Sequence, residues 1–466
     1  MQQKPQQNEL KRKLGLFPVT NIVIANMIGA GIFITSGLLM ADLHNPLLMV
    51  FLWLVGGVIA LCGALCYGEL GAAFPEAGGE YVFLSKLFHP MFGFLSGWIS
   101  FIVGFSAPIA ASSRGVSAYF TRALPQSVTW AQTIGIVDPQ VFEKLLSMGV
   151  ILIFTLIHLR GIQFGAAVQN VLTILKVILI AGLLACGGFI GKGNTQHFAQ
   201  GGHFSFDFGG MKTLGLSIMW IMFAYSGWNA ATYIGSEVNN PKKNIPLSLI
   251  AGTSIVMILY IGLNILFVYA VPPDTLKGVI SVGGLTAGKL FGGPWERIFS
   301  IFISFALFSS LSAYIILGPR IYYAMAKNGH FFNFVSKVNH RSHVPTYSIL
   351  VQALLAIIMV MSGTFDQILT YMGFSLGIFP ILAVLGVFKV RKAGLNTTVS
   401  SGYPVVPLVY IIAAVSILVL AYFERPVESS IALGTVILGI PMYYFFIRQK
   451  RSAPAISNIE NLDKNK

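Results

Sequence analysis

The chain has 466 residues, 55% of them hydrophobic and only 10% charged, whereas soluble domains carry about a quarter charged residues. That balance excludes a soluble globular protein. Repeated apolar stretches, each long enough to cross about 30 Å of hydrocarbon, point to spanning helices rather than a barrel. The net charge of +14 would suggest nucleic acid in a soluble chain; here its placement reports topology instead.

Residues 1–15 are polar and basic and read as a tail. The apolar stretch that follows is too long for a signal peptide and has no small-residue cleavage site, so it reads as a retained first span. Twelve spans are predicted, at 16–42, 47–74, 91–120, 145–160, 166–190, 213–235, 247–270, 296–326, 346–363, 367–388, 404–422 and 429–447. A second basic tail, 448–466, closes the chain. Lys and Arg number 20 on the side of the two tails and 8 on the other, with Arg114 and Lys176 inside spans. By the positive-inside rule both termini are cytoplasmic, and the expected class is an all-α, multi-pass protein of a cell membrane.

Two spans carry interruptions. The first reads Asn26-Met27-Ile28-Gly29-Ala30-Gly31, with two glycines flanking one alanine near its middle. The sixth reads Phe223-Ala224-Tyr225-Ser226-Gly227-Trp228-Asn229, a small, polar, glycine-bearing stretch at the same depth. Interrupted spans at corresponding positions of two halves mark binding sites in secondary transporters. Spans one and six begin two five-helix units. An odd count per unit inverts the second, so 16–190 and 213–388 are expected as inverted repeats, followed by two further helices over 404–447.

A broken membrane helix frees amides and carbonyls that lipid cannot satisfy. The half-helix after the break offers N–H groups and a positive dipole end to a carboxylate, and the half before it offers carbonyls to an ammonium group. One broken pair thus suits both ends of a zwitterionic amino acid. N–H groups near Ala30, Gly31 and Ile32 are expected to face the carboxylate. Carbonyls of Met27, Phe223, Ala224 and Ser226 are expected to face the amine, with Phe223 as a candidate aromatic gate.

Lys176 sits about ten residues into span five, roughly 15 Å deep. At that depth it is expected to bridge the carbonyls of the first break and hydroxyls of span eight, with Ser309, Ser310 and Ser312 as candidates. A fixed ammonium there would stand in for a bound sodium ion. All sixteen acidic residues fall in loops, tails or span ends, which favours a neutral substrate side chain. The eight histidines are placed outside the spanning cores. The three cysteines (Cys62, Cys66, Cys186) are read as small buried residues rather than metal ligands. The run Gly373-Phe374-Ser375-Leu376-Gly377 fits a nucleophile-elbow pattern, but in an apolar helix without a partnering His and acid it carries no catalysis. No cofactor or metal is expected.

These strings resemble the amino acid–polyamine–organocation superfamily, particularly its L-type neutral amino acid exchangers. The resemblance rests on Ile28–Phe33, Ala64–Leu70 with Pro75–Tyr81, Phe223–Asn229, Glu237–Leu247 and Arg320 with Asn328–His330. It implies two inverted five-helix repeats plus two helices, with the site at mid-membrane. By position it implies substrate contacts at Met27, Ala30 and Gly31, a gate at Phe223, a polar contact at Asn229, and Lys176 in place of a sodium site, while Ser226 falls where some relatives have glycine. Ala30 stands where serine is common. Mammalian relatives link to a glycoprotein through a cysteine between spans three and four; this chain has none there, so no disulfide-linked subunit is expected. The expected function is sodium-independent exchange of neutral L-amino acids by alternating access. Proton-coupled uptake with Lys176 as titrating group, or an amino-acid sensor on the same fold, are the alternatives.

Overall fold

A computed structural model describes residues 12–452 apart from 134, 137, 340–341, 343, 363–364 and 396–401. Most of both expected tails therefore lies outside the described residues. The described chain is helical, with only two isolated bridges, Leu14 to Val238 and Ala77 to Ile234. In chain order its main helices are α1 (Leu16–Met27), α2 (Ala30–Leu43), α3 (Pro46–Ala73), α4 (Glu80–Leu87) and α5 (Pro90–Ala123, with a π-helical turn at Ser100–Gly104). They continue with α6 (Pro139–Leu159), α7 (Ile162–Phe189), α8 (Phe208–Ala224), the single turn α9 (Ala230–Tyr233) and α10 (Pro241–Ala270). The last are α11 (Gly293–Lys327), α12 (Thr346–Ser362), α13 (Phe365–Lys392), α14 (Val405–Glu424) and α15 (Pro426–Ser452). Among the described residues ten segments are long and apolar enough to cross a membrane, counting α1 and α2 as one, and α8 and α12 are shorter apolar helices. This is a multi-pass membrane protein.

Local signals start these helices. Asn45 caps α3 by accepting from the Leu48 N–H at 3.0 Å, with Pro46 at the first helical position. Asp138 caps α6 through Gln140 N–H, and Asp207 caps α8 through Gly210 N–H, each at 2.8 Å. At α1 and α8 the helices stop where the glycine-bearing strings begin.

The exposed apolar residues run along outward faces, as in Val171, Ile174, Leu175 and Ile178 of α7 and Ile412, Val415 and Val419 of α14. Such faces are stable only against hydrocarbon. Cys186 corrects an expectation: it is exposed on the outward face of α7, while Cys66 is buried and Cys62 intermediate. His158, in the last turn of α6, is only 4% exposed, with Nε2 2.8 Å from the Ser312 hydroxyl. The Arg320–Glu237 ion pair at 3.3 Å is buried, and the Arg391–Glu69 pair at 2.8 Å is partly buried.

Candidate functional site

The first interruption falls at Ile28 and Gly29. Ile28 is extended (φ −75°, ψ 90°), and Gly29 precedes an α2 first turn that no side chain caps. Breaking α1 leaves its last carbonyls without helical donors, and buried carbonyls need partners. Each finds one. Lys176 Nζ donates to Ala25 O at 3.2 Å and also to Ile28 O, which additionally accepts from Ser310 Oγ at 2.7 Å. The Tyr314 hydroxyl donates to Asn26 O at 2.9 Å, and the Tyr260 hydroxyl to Met27 O at 2.7 Å.

Lys176 is 1% exposed and donates to Ser310 Oγ at 3.2 Å, tying α7 to α1 and α11. Ser309 and Ser312, named beside Ser310 from sequence, are engaged elsewhere. Ser309 Oγ meets Thr173 Oγ1 at 3.0 Å, and Ser312 Oγ meets His158. Successive residues of a helix point about 100° apart, so neighbouring hydroxyls face different partners.

The second interruption is longer. After Ala224 the chain turns through Tyr225–Asn229 before the single turn of α9. Ser226 N–H donates to Phe223 O at 2.8 Å, and Ala230 N–H to Gly227 O at 2.9 Å. Ala224 O accepts from the same Tyr260 hydroxyl that holds Met27 O, at 3.0 Å, so one phenol bridges both breaks. The breaks also touch. A Cβ on Gly31 would lie 2.7 Å from Ala224 Cα, and one on Gly227, whose φ is +104°, 2.4 Å from Asn26 Nδ2. Glycine at these two places permits the close approach.

A cavity of about 100 Å³ opens beside the second break. Of the expected contacts, Phe223, Ser226 and Asn229 line it. Met27, Gly29, Ala30, Gly31 and Ala224 do not; they form the packed junction behind it. The π-helical turn of α5 contributes Ser100 and Gly104, and the GFSLG run of α13 contributes Gly373, Leu376 and Gly377 as wall. Asn229 is less free than expected. Its Nδ2 donates to Glu80 Oε1 at 2.9 Å and to the Tyr233 hydroxyl at 3.0 Å.

Among the lining residues that escaped the sequence reading, Asn26, Tyr314 and Glu80 matter most. Asn26 is 3% exposed with its Oδ1 unpartnered, an acceptor suited to an ammonium group. Tyr314 lines the cavity while holding Asn26 O. Glu80 belongs to a connecting segment, yet its carboxylate reaches the cavity at 5% exposure. Burial pushes its carboxyl above the usual value, and hydrogen bonds from Asn229, Ser96 and Tyr233 pull it back. The signal for Glu80 was the PEAGGEY string: Gly78 and Gly79, both at positive φ, fold the segment inward.

Broken helices around a small cavity are the architecture of a carrier, and residues 14–447 match the sequence model of a family described as amino acid permease. The chain belongs to the amino acid permease family. It is 28% identical over 96% of its length to the serine/threonine exchanger SteT of Bacillus subtilis (strain 168), covering 99% of that protein. It is 27% identical to the human cystine/glutamate transporter over 94% of this chain and 86% of the other. It is 25% identical to b(0,+)-type amino acid transporter 1 of Mus musculus, over 95% and 89% respectively. The family and these relatives are transporters rather than enzymes, so the permease fold here serves amino acid transport.

Proposed function

We propose that this permease carries neutral L-amino acids across the cell membrane by alternating access, as a sodium-independent exchanger with both termini cytoplasmic. The observation that carries this reading is the Lys176 ammonium, fixed among Ala25 O, Ile28 O and Ser310 Oγ. Carbonyls and a hydroxyl grouped at a helix break are the donor set of an alkali cation. A covalently attached charge there removes the need to bind one, so substrate itself drives the return step.

In this reading the substrate ammonium meets Asn26 Oδ1 and the side chain lies against Phe223, Ser226 and Asn229, while the uncapped first turn of α2 stands behind the cavity wall. Met27, Gly29, Ala30, Gly31 and Ala224 shape the junction from behind. Twelve spans follow if α12 spans alone and α8 spans together with the turn and α9; spans one to ten then form two inverted five-helix repeats. No disulfide-linked subunit is needed. The complete burial of Lys176 among neutral acceptors favours a second reading, proton-coupled uptake with that lysine titrating.

Counterflow in proteoliposomes tests both readings. Exchange predicts that internal neutral amino acid stimulates uptake several-fold, with no response to a sodium or pH gradient. Concentrative uptake driven by a pH gradient without internal substrate would replace it by the second reading. Dependence on sodium would overturn both.

A further inference from the structure

Glu80 is the acidic residue among those lining the cavity, and no Lys, Arg or His stands beside it there. Lys176 lies behind the first break, committed to that break's carbonyls and Ser310. Three donors converge on the Glu80 carboxylate. They are Asn229 Nδ2 at 2.9 Å, the Tyr233 hydroxyl at 3.3 Å and the Ser96 hydroxyl at 3.3 Å. An amide nitrogen can only donate, and donors on both oxygens offset part of the burial that opposes the ionised carboxylate.

We infer that Glu80 is the charge filter of this cavity, rejecting amino acids whose side chains are anionic. The inference rests on the cavity being the substrate site. A zwitterion brings no net charge, so its entry leaves the local balance unchanged. A second carboxylate entering a space of about 100 Å³ would sit beside Glu80 with no cationic side chain on the wall to offset it. Like charges sharing a desolvated site cannot both stay ionised at ordinary cost. Discrimination by an unpaired repulsive element costs nothing in contacts to the accepted substrate. The three donors serve the same end, because they hold the charge at the wall rather than letting it turn toward solvent. Asn229 thereby becomes a positioning residue for Glu80.

Aspartate and asparagine are near-isosteres differing in charge, so the ratio of their half-inhibitory concentrations against uptake of radiolabelled L-serine into proteoliposomes reads the filter alone. In wild type aspartate should need more than a tenfold excess over asparagine. In Glu80→Gln the ratio should fall at least threefold, whatever happens to the absolute rate. A smaller fall, or a wild type that accepts both equally, overturns the inference. If Glu80→Gln is not monodisperse in detergent, Glu80→Ser is read the same way; misfolding of both assigns Glu80 a structural role and also overturns it. Ser226→Phe, which fills the cavity, separates the two levels. Wild-type uptake by a folded Ser226→Phe protein removes the cavity as substrate site. Blocked uptake there, with an unchanged ratio in Glu80→Gln, removes only the filter.

Discussion

The two helix breaks solve the same problem in different ways. At Ile28–Gly29 the unwound stretch is short, and the carbonyls of residues 25 to 28 are each taken by a side chain from another helix: Lys176, Tyr314, Tyr260 and Ser310. Between Tyr225 and Asn229 the stretch is longer and closes mostly on itself, through turns such as Ser226 N–H to Phe223 O. The first break lends most of its residues to the junction, and of its strand only Asn26 reaches the cavity, whereas the second supplies Phe223, Ser226, Gly227, Trp228 and Asn229 to the wall. Division of labour follows: the externally pinned break is a scaffold, and the self-closed break is a surface for recognition. Substitutions at the first should therefore cost stability and turnover together, and substitutions at the second should cost affinity.

The largest effect is expected at Lys176. Lys176→Ala withdraws donors from two carbonyls and a hydroxyl and leaves a void behind α1. Lost charge-assisted bonds and a buried cavity together cost about 3 kcal/mol. Transport should fall more than tenfold, and the thermal unfolding midpoint in detergent should drop by several degrees. Lys176→Met keeps the packing without the charge, so it should recover part of the midpoint and little of the transport. A Lys176→Met protein with wild-type counterflow would break the comparison at its strongest point.

Tyr260→Phe comes next, because its hydroxyl is shared between the breaks, at 2.7 Å from Met27 O and 3.0 Å from Ala224 O. Leaving buried acceptors unpaired costs about 1–3 kcal/mol. The expected result is a lower midpoint than wild type but higher than Lys176→Ala, with maximal rate reduced several-fold. Because the phenol couples the two breaks, Tyr260→Phe combined with Lys176→Met should be non-additive in stability. Strict additivity would mean the breaks are energetically independent.

What sequence disclosed of this arrangement follows the same division. Both interruptions were legible because Gly29, Gly31 and Gly227 sit in otherwise continuous apolar runs, and Lys176 because a lone charge deep in a span needs a partner. The carbonyl caps were not. Tyr260 and Tyr314 lie 233 and 288 residues from the first-break carbonyls they hold, and a tyrosine in an apolar helix carries no mark of what its hydroxyl meets. Glu80 was hidden for a related reason: counting acids by span excluded it from the membrane interior, while the inward fold at Gly78 and Gly79 returned it to the cavity. Ser309 and Ser312 were proposed with Ser310 because composition offers three hydroxyls where helix geometry lets one face Lys176.

The smallest effect sharpens the comparison most. Ser226→Ala leaves the turn intact, since its backbone N–H, not its hydroxyl, bonds to Phe223 O at 2.8 Å. Alanine also suits the non-helical, half-buried backbone there, and among the described residues the hydroxyl's protein partner is Tyr314 alone, so stability should change by no more than about 1 kcal/mol, the net contribution of one hydrogen bond. The hydroxyl borders the cavity, where one hydrogen bond to bound substrate contributes about 0.5–1.5 kcal/mol. The half-saturating concentration of a neutral amino acid should accordingly rise about threefold to tenfold, with maximal exchange rate and unfolding midpoint close to wild type. If instead the midpoint falls as it does in Tyr260→Phe while the half-saturating concentration holds, the second break is scaffold like the first, and recognition must be sought elsewhere on the wall.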